Sequence, residues 1–383
     1  MAHSLRGKAA VVGVGLANRP EAPGRNAIEL LAEASVNALD DAGLTLSDVD
    51  GLFTGSAFHY MPTLSAAEYL GIRPSYSDGS MVGGSSFVMH LLNAAMALEA
   101  GLCNVALICY GSNQRTIGGR LVSMSEPQPY EAPYRPRYPV SAYALAASRH
   151  MYEYGTTREQ LAEVAVAARK WAQLNPEAFA RDPLTIEDVL NARPISDPFT
   201  KYDCCLVTDG GAAVVMVRSD RAKDMKQKPA YLLGAAGAHW HRQISMMPDM
   251  TVTAASESGP RAFEMAGLTP SDMDVLELYD AFTINTILFL EDLGFCKKGE
   301  GGAFVSGGRI APGGELPVNT NGGGLSCVHP GMYGLYTVIE AVRQLRGTCG
   351  ERQIEGAKTA LAHGNGGTLS SQVTSILGTE ETL

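Results

Sequence analysis

Two stretches decide how this 383-residue chain is read: AGLTLSDVDGL at 42–52 and AGLTPSDMDVL at 266–276, one string with three changes, 224 positions apart. Self-similarity of this length marks a duplicated structural unit. Each copy follows a helix-like stretch, ELLAEASVNALDD from Glu29 or GPRAFEM from Gly259, and runs into an apolar strand-like segment, GLFTGS or VLELYDAF. The neighbourhoods of Ser47 and Ser271 read as turns or short caps between helix and strand.

Farther out, each copy has a Gly-rich entry into an apolar helix and then a strand ending in glycine. MVGGSSFVMHLLNAAMALEAG (81–101) leads to NVALICYGSN (104–113), and NTNGGGLSCVHPGMYGLYTVIEAVRQLRG (319–347) leads to KTALAHGNGG (358–367). VVGVG at 11–15 has a counterpart in AYLLGAAG at 230–237, which opens the second half. The halves are one βαβαβ-type unit used twice, so the fold class is α/β, with mixed or parallel sheets covered by helices. Residues 113–194 differ in kind, rich in Tyr, Pro and Arg and then helical, with YALAASRHMYEYG and REQLAEVAVAARKWAQLNP carrying helix-spaced apolar residues. They read as an insertion, a place for a ligand-covering or dimer-contacting loop domain. The segment 194–219, ending in DCCLVTDGGAAVVMVRS, returns as a buried strand to complete the first half. The expected division is 1–112 plus 195–225, 113–194, and 226–383.

Composition removes several classes. With 45% hydrophobic residues and 18% charged, the chain is globular rather than disordered. A net charge of −10 gives no general attraction for nucleic acid. Seven cysteines without a CxxC pair or metal-ligand spacing predict neither a disulfide framework nor a metal site, and a reduced, cytoplasmic compartment. MAHSLRGKAAVVGVG lacks the zones of a signal peptide, and no apolar run approaches the ~18 residues of a membrane span. The 42 glycines point to tight loops or to backbone that approaches something closely. Arg115, Arg120, Arg135 and Arg137 read as a solvated loop or as a surface for a phosphorylated ligand.

The repeat, the DCCLVTDGGAAVV string, HPGMYG at 329–334 and HGNGG at 363–367 together resemble the thiolase superfamily, specifically its sterol-carrier and lipid-transfer thiolase-like branch. The resemblance covers essentially the whole chain. It implies a five-layered α-β-α-β-α duplicated fold, a coenzyme A thioester as ligand, no tightly bound cofactor, and a homodimer. It also implies where the chemistry sits. A thiolase keeps a nucleophilic Cys at the start of the helix after the first Gly-rich loop, where this chain has VGGSSF and no Cys; Ser85 or Ser86 is a substitute nucleophile or a helix cap. Where this branch has His-Asp, the chain has Tyr279-Asp280, so Tyr279 is a proton-transfer group or a packed strand-end ring. His329 matches the superfamily His that holds the thioester oxygen. Tyr333, four residues on, shares its face if the helix has already begun. His363 stands where thiolases carry a Cys base, and either titrates near neutrality or hydrogen-bonds within a glycine turn. Ser85, Ser86, Asp280, Asn285, Asn365 and Gly366 are the residues expected against the thioester. His3, His59, His90, His150, His239 and His241 default to structural or surface roles.

Without a cysteine to hold an acyl group, Claisen chemistry is disfavoured. Two tyrosines and a histidine suit a retro-aldol cleavage of a β-hydroxyacyl-CoA to a ketone or aldehyde plus propionyl-CoA or acetyl-CoA. The pattern resembles the steroid side-chain aldolases, which work with a small OB-fold and zinc-ribbon partner in a heterotetramer. An acyltransferase using a non-standard nucleophile, and a non-catalytic acyl-CoA or lipid binder, stay open as alternatives.

Overall fold

A computed structural model describes residues 5–17, 20–58, 60–117 and 129–383. In chain order the first half contributes β1 (Ala9–Ala17), α1 (Ala27–Ala42), β2 (Gly51–Thr54), α2 (Pro62–Leu70), β3 (Tyr76–Asp78), α3 (Ser86–Glu99) and β4 (Val105–Ser112). Then come α4 (Val140–Tyr154), α5 (Arg158–Gln173), α6 (Ile186–Leu190), the small hairpin β5 (Pro194–Ser196) and β6 (Phe199–Thr200), β7 (Gly210–Arg218) and α7 (Ser219–Ala222). The second half brings β8 (Ala230–His239), α8 (Ala255–Ala266), β9 (Val275–Leu278), α9 (Thr283–Asp292), α10 (Gly301–Val305), α11 (Gly334–Arg346), β10 (Thr359–Gly366) and β11 (Ser371–Gly378).

Among the described residues the long strands form one nine-stranded sheet ordered β3-β2-β4-β7-β1-β8-β11-β10-β9. Its two halves mirror each other about the antiparallel β1–β8 contact at Ala10–Tyr231 and Val11–Ala230. In each half a parallel pair (β2–β4, β9–β10) continues into antiparallel neighbours. Even the outermost strand has a counterpart: Leu52 pairs with Ser77 of β3, and Leu276, 224 residues on, bridges to Val318. α1 covers one outer face and α8 the other, while α3 and α11 pack against each other and against strands of both halves. These are the five layers that the resemblance implies.

The repeat residues explain themselves locally. Gly43 and Gly267 end α1 and α8 in the left-handed conformation, at φ 75° and 64°. Thr45 and Thr269 then each give backbone N–H and hydroxyl to Asp48 or Asp272, at 2.7–2.9 Å, closing one 3₁₀ turn in each copy. Asp50 accepts the N–H groups of Asn104 and Val105 at 2.8 Å, pinning the start of β4. Asp274 accepts those of Lys358 and Thr359 at 2.8 and 3.0 Å, pinning the start of β10. A side chain on Gly13 would run into the carbonyl of Ala38, and one on Gly234 into that of Ala262, so each half needs a glycine where its outer helix lies closest to its strand. Among the described residues no helix is long and apolar enough to cross a membrane.

Candidate active site

α3 and α11 begin side by side: a side chain on Gly334 would collide with the carbonyl of Gly84. The end of β9 delivers Tyr279 into the space before them. Its ring lies so close to Gly84 that any Cβ there would overlap it, which explains a glycine at this point of the α3 entry. The Tyr279 hydroxyl accepts the backbone N–H of Tyr333 at 3.1 Å and reaches the Gly331 carbonyl at 3.4 Å. The ring meets His329 and Tyr333 edge-on, each with centroids 5.6 Å apart. His329 and Tyr333 stack at 6.2 Å and 18°. Thus Tyr279, His329 and Tyr333 come together, but not through helical spacing. α11 starts at Gly334, Tyr333 is its N-cap, and the loop 329–333 brings the rings into contact.

Burial sets the ionisation of this cluster. Tyr279, Tyr333 and His329 are 4%, 0% and 8% exposed. Desolvation pushes both phenols well above their usual range, so they are neutral, and lowers His329 to about 4, so its imidazole is neutral too. The Tyr333 hydroxyl donates to Asn321 Oδ1 at 3.0 Å. His329 Nε2 has no partner among the described residues. A neutral imidazole with one free nitrogen is equipped to meet a ligand oxygen. Its backbone is clamped by Thr208, which accepts the His329 N–H at 3.1 Å and donates its own to the His329 carbonyl at 3.2 Å, with Gln114 Nε2 on the same carbonyl at 3.1 Å. The DCCLVTDGG segment therefore does more than supply β7. Thr208, Gln114 and Asn321 escaped the sequence reading; the NTN before GGG was the available signal for Asn321.

Asp280 reaches into the glycine loop, accepting the N–H groups of Gly324 at 2.6 Å and Leu325 at 3.3 Å, and its charge is felt by the Tyr333 phenol. Burial raises its carboxyl to about 7. Asn285 is fully buried on α9 with neither amide atom in hydrogen-bonding geometry; it lies near the Tyr143 phenol, which burial pushes up to about 12. Asn365 Nδ2 donates to the Tyr143 hydroxyl at 2.8 Å, which donates to the Gly367 carbonyl at 3.1 Å. Gly366 packs on the Val82 carbonyl and Ser85.

Ser85 and Ser86 occupy the start of α3, both buried. Ser85 Oγ hydrogen-bonds the Val82 carbonyl at 3.1 Å and Ser371 Oγ at 2.7 Å; Ser86 Oγ accepts the Val82 N–H at 2.8 Å. Those are structural bonds, and among the described residues no basic group touches either hydroxyl directly. His363 is not brought to the tyrosines: Nδ1 meets Thr374 Oγ1 at 3.0 Å, Nε2 meets Gln372 Oε1 at 2.9 Å, and burial lowers it to about 4. With both nitrogens taken by side chains of β11, it neither titrates near neutrality nor bonds backbone in a glycine turn. All seven thiols are pushed up by burial, the opposite of an activated nucleophile. Cys205 is the one whose charge Tyr279 and Tyr143 would feel, and it is held well up as the thiol.

Elsewhere, Arg115 is engaged by Glu21 at 2.6 Å and by the Val207 carbonyl, so it does not present itself to a phosphorylated ligand. His90, His150, His239 and His241 pair with Ser80, Thr156 and Glu291, Ser371 and the Thr368 carbonyl, respectively. Arg120, His3 and His59 lie outside the described residues.

Residues 236–379 match the family model described as thiolase C-terminal domain-like. The chain is 36% identical to an acetyl-CoA acetyltransferase of Methanothermobacter thermautotrophicus, over 89% of this chain and 91% of that one. It is 35% identical to the 17-hydroxy-3-oxo-4-pregnene-20-carboxyl-CoA lyase of Mycobacterium tuberculosis, over 90% and 93%. Its fold superposes on a solved structure titled Ltp2-ChsH2(DUF35) aldolase with a TM-score of 0.89 at 33% identity, covering 99% and 100% of the two chains. The chain belongs to the thiolase superfamily, in the sterol-carrier thiolase-like branch that includes steroid side-chain-cleaving aldolases.

Proposed function

We propose that this chain is a carbon–carbon lyase that cleaves a β-hydroxyacyl-CoA by a retro-aldol reaction, releasing a ketone or aldehyde and a shortened acyl-CoA such as propionyl-CoA or acetyl-CoA. The observation that carries this reading is the replacement at the α3 entry. In the VGGSSF entry to α3, where the resemblance puts an acyl-accepting thiolate, there is no cysteine, and the ring of Tyr279 lies against Gly84. Claisen chemistry needs a group on which to hold the acyl chain, whereas retro-aldol cleavage needs only an enolate stabiliser and proton transfer.

The reaction is balanced without an outside proton. The β-hydroxyl O–H and the Cα–Cβ bond break; the carbonyl of the released product and a new Cα–H bond form. One proton leaves oxygen as one arrives at carbon. Buried phenols fit that balance, because a tyrosine that takes the hydroxyl proton as it gives up its own never has to stand as a phenolate. We assign this relay to Tyr279 and Tyr333. The free Nε2 of His329, neutral at working pH, is assigned to the developing enolate oxygen. Asp280, Asn285, Asn365 and Gly366 are assigned to holding the thioester and the loops around it, and Ser85 and Ser86, which make no helix-cap bond, to tying the start of α3 to Val82 and Ser371.

A steroid or similarly bulky side chain is the proposed acyl group, on the strength of the substrate named for the mycobacterial relative. A small OB-fold and zinc-ribbon partner and a homodimer are proposed with it, the former because the superposing aldolase is titled as a pair with a DUF35 protein. The loop domain expected over 113–194 is proposed to meet the site through α4, whose Tyr143 reaches Asn365 and Gly367. The second reading, acyl transfer, is favoured by the acetyltransferase relative. Incubation with a β-hydroxyacyl-CoA bearing a tertiary alcohol, alone and with the partner, distinguishes the two. Ketone and short acyl-CoA in equal amounts support the lyase. Inertness toward that substrate, with thiolysis of a β-ketoacyl-CoA, supports the transferase.

A further inference from the structure

Two residues before Tyr279, β9 carries a carboxyl that the proposed chemistry does not use. Glu277 is fully buried. Its Oε1 lies 2.8 Å from the hydroxyl oxygen of Thr320, and Oε1 of Glu340 on α11 lies 2.9 Å from the same atom. The side-chain amide of Gln344 donates to it as well, at 2.9 Å. A threonine hydroxyl has one hydrogen to give and two lone pairs to receive. One hydrogen cannot serve two carboxylates, so one of the two acids must bring a hydrogen of its own. Arg352 decides which. It grips Glu340 with both ends of its guanidinium, Nε to Oε1 at 2.8 Å and Nη2 to Oε2 at 3.0 Å, and a bidentate guanidinium holds a carboxylate ionised.

Among the described residues Glu277 has no such cation against it. The titratable groups whose charge it shares are Glu340, Asp280 at the end of its own strand, Tyr333 and the Cys349 thiol, all of them acids, with Arg352 committed to Glu340 beyond Thr320. Its Oε2 has no hydrogen-bond partner among the described residues. Burial and the neighbouring Glu340 drive its carboxyl well above the ordinary range. With Glu277 protonated the Thr320 hydroxyl is satisfied: Glu277 donates to it, it donates to Glu340, and Gln344 fills the second lone pair.

We infer that Glu277 is a neutral carboxylic acid that donates its proton to Thr320 and thereby acts as a positioning residue for Tyr333. The link is short. Thr320 also gives its backbone N–H to Glu277 Oε1, at 3.1 Å, and is flanked by two asparagines. Asn319, held at φ +55°, accepts the Leu278 N–H at 2.6 Å, and Asn321 accepts the Tyr333 hydroxyl. An ionised Glu277 would set two carboxylates on one hydroxyl and push this segment away from β9. The first half shows what the scaffold itself requires at this position. The residue matched to Glu277 through the repeat is Phe53, also fully buried, with its ring against Tyr76 and His90.

The protonation stands apart from the proposed reaction; the positioning role rests on Tyr333 acting in it. Infrared difference spectroscopy of the whole protein near pH 7, wild type against Glu277→Gln, tests the first. One protonated-carboxyl band missing from the variant is the expected result; a missing ionised-carboxylate band overturns the inference, and the protonated-carboxyl band of the wild type, read against Glu277→Ala, decides it should the glutamine variant not fold. Turnover tests the second. Glu277→Gln should keep the wild-type kcat and lose any alkaline limb that Glu277 imposes, whereas Glu277→Ala should lose up to about 10²-fold in kcat at unchanged KM. Equal kcat in Gln and Ala variants overturns the positioning role. A protonated band without lyase turnover refutes the proposed function and the positioning role while leaving the proton on Glu277.

Discussion

Residues 42–56 and 266–280 are built on one plan and carry different cargo. The same threonine–aspartate turn, the same left-handed glycine and the same aspartate pinning the neighbouring strand appear in both. At the strand ends they part. Phe53, Gly55 and Ser56 in the first copy are matched by Glu277, Tyr279 and Asp280 in the second, and across the sheet Cys109 on β4 is matched by His363 on β10. The first copy runs out into a half-exposed loop in which Ser56 merely accepts the Phe58 N–H. The second buries every residue from 275 to 293. Duplication supplies the frame twice. Only one copy gives up apolar packing to hold polar groups away from water, and that concession marks the half bearing the site.

The contrast can be broken most severely at the hydroxyls. Tyr279→Phe and Tyr333→Phe should each lower kcat by ~10²–10⁴ while leaving the fold intact, measured by steady-state turnover and circular dichroism. Full activity in both variants removes the proton relay. Next in size, His329→Ala should lower kcat by ~10²–10³, the usual loss for one oxyanion donor. The acid limb of the wild-type profile should fall near pH 4 rather than 6.5, because burial holds this histidine neutral.

Gly84→Ala in the first half should cost about 10²-fold by displacing the Tyr279 ring, a larger effect than an exposed glycine such as Gly71 would show when replaced. Smallest are the frame substitutions. Asp50→Asn and Asp274→Asn should each destabilise by about 1–3 kcal/mol in chemical denaturation, and by similar amounts, since each aspartate accepts two backbone N–H groups. Neither should change kcat at a temperature where the protein stays folded. The buried histidines should take stability away as the pH drops, because His90, His329 and His363 are each lowered to about 4 when folded and the unfolded chain binds those protons first, from about pH 6.5 downward. Asp280 and Glu277, raised when folded, act in the opposite sense, so Asp280→Asn should steepen the decline in melting temperature between about pH 6.5 and 4.

The frame was legible in the letters because its hydrogen bonds are local. Thr45 to Asp48 and Thr269 to Asp272 span three residues, so a repeated string carries a repeated turn. Tyr279, His329 and Tyr333 were legible through motif and resemblance, yet the reason they meet was not. A helical face was expected for Tyr333, and a loop N-terminal to α11 makes the contact instead. Thr208, Gln114 and Asn321 were invisible because their partners lie 121, 215 and 12 residues away and no periodicity records such bonds. His363 shows the opposite failure. Its place in the string left a titrating base and a backbone bond in a glycine turn open, but Gln372 and Thr374 on β11 take both nitrogens. Glu277 looked like an ordinary charged residue within a strand. Its meaning depends on counting the hydrogens at Thr320, which only the folded arrangement allows.

The central claim is cleavage of a carbon–carbon bond with no acyl group ever attached to the protein, and rapid-quench intact-mass measurement during turnover of a β-hydroxyacyl-CoA tests it directly. The account predicts ketone and shortened acyl-CoA accumulating together while the protein mass stays that of the unmodified chain. A transient mass increase equal to an acyl group, on Ser85, Ser86 or Cys205, would contradict it.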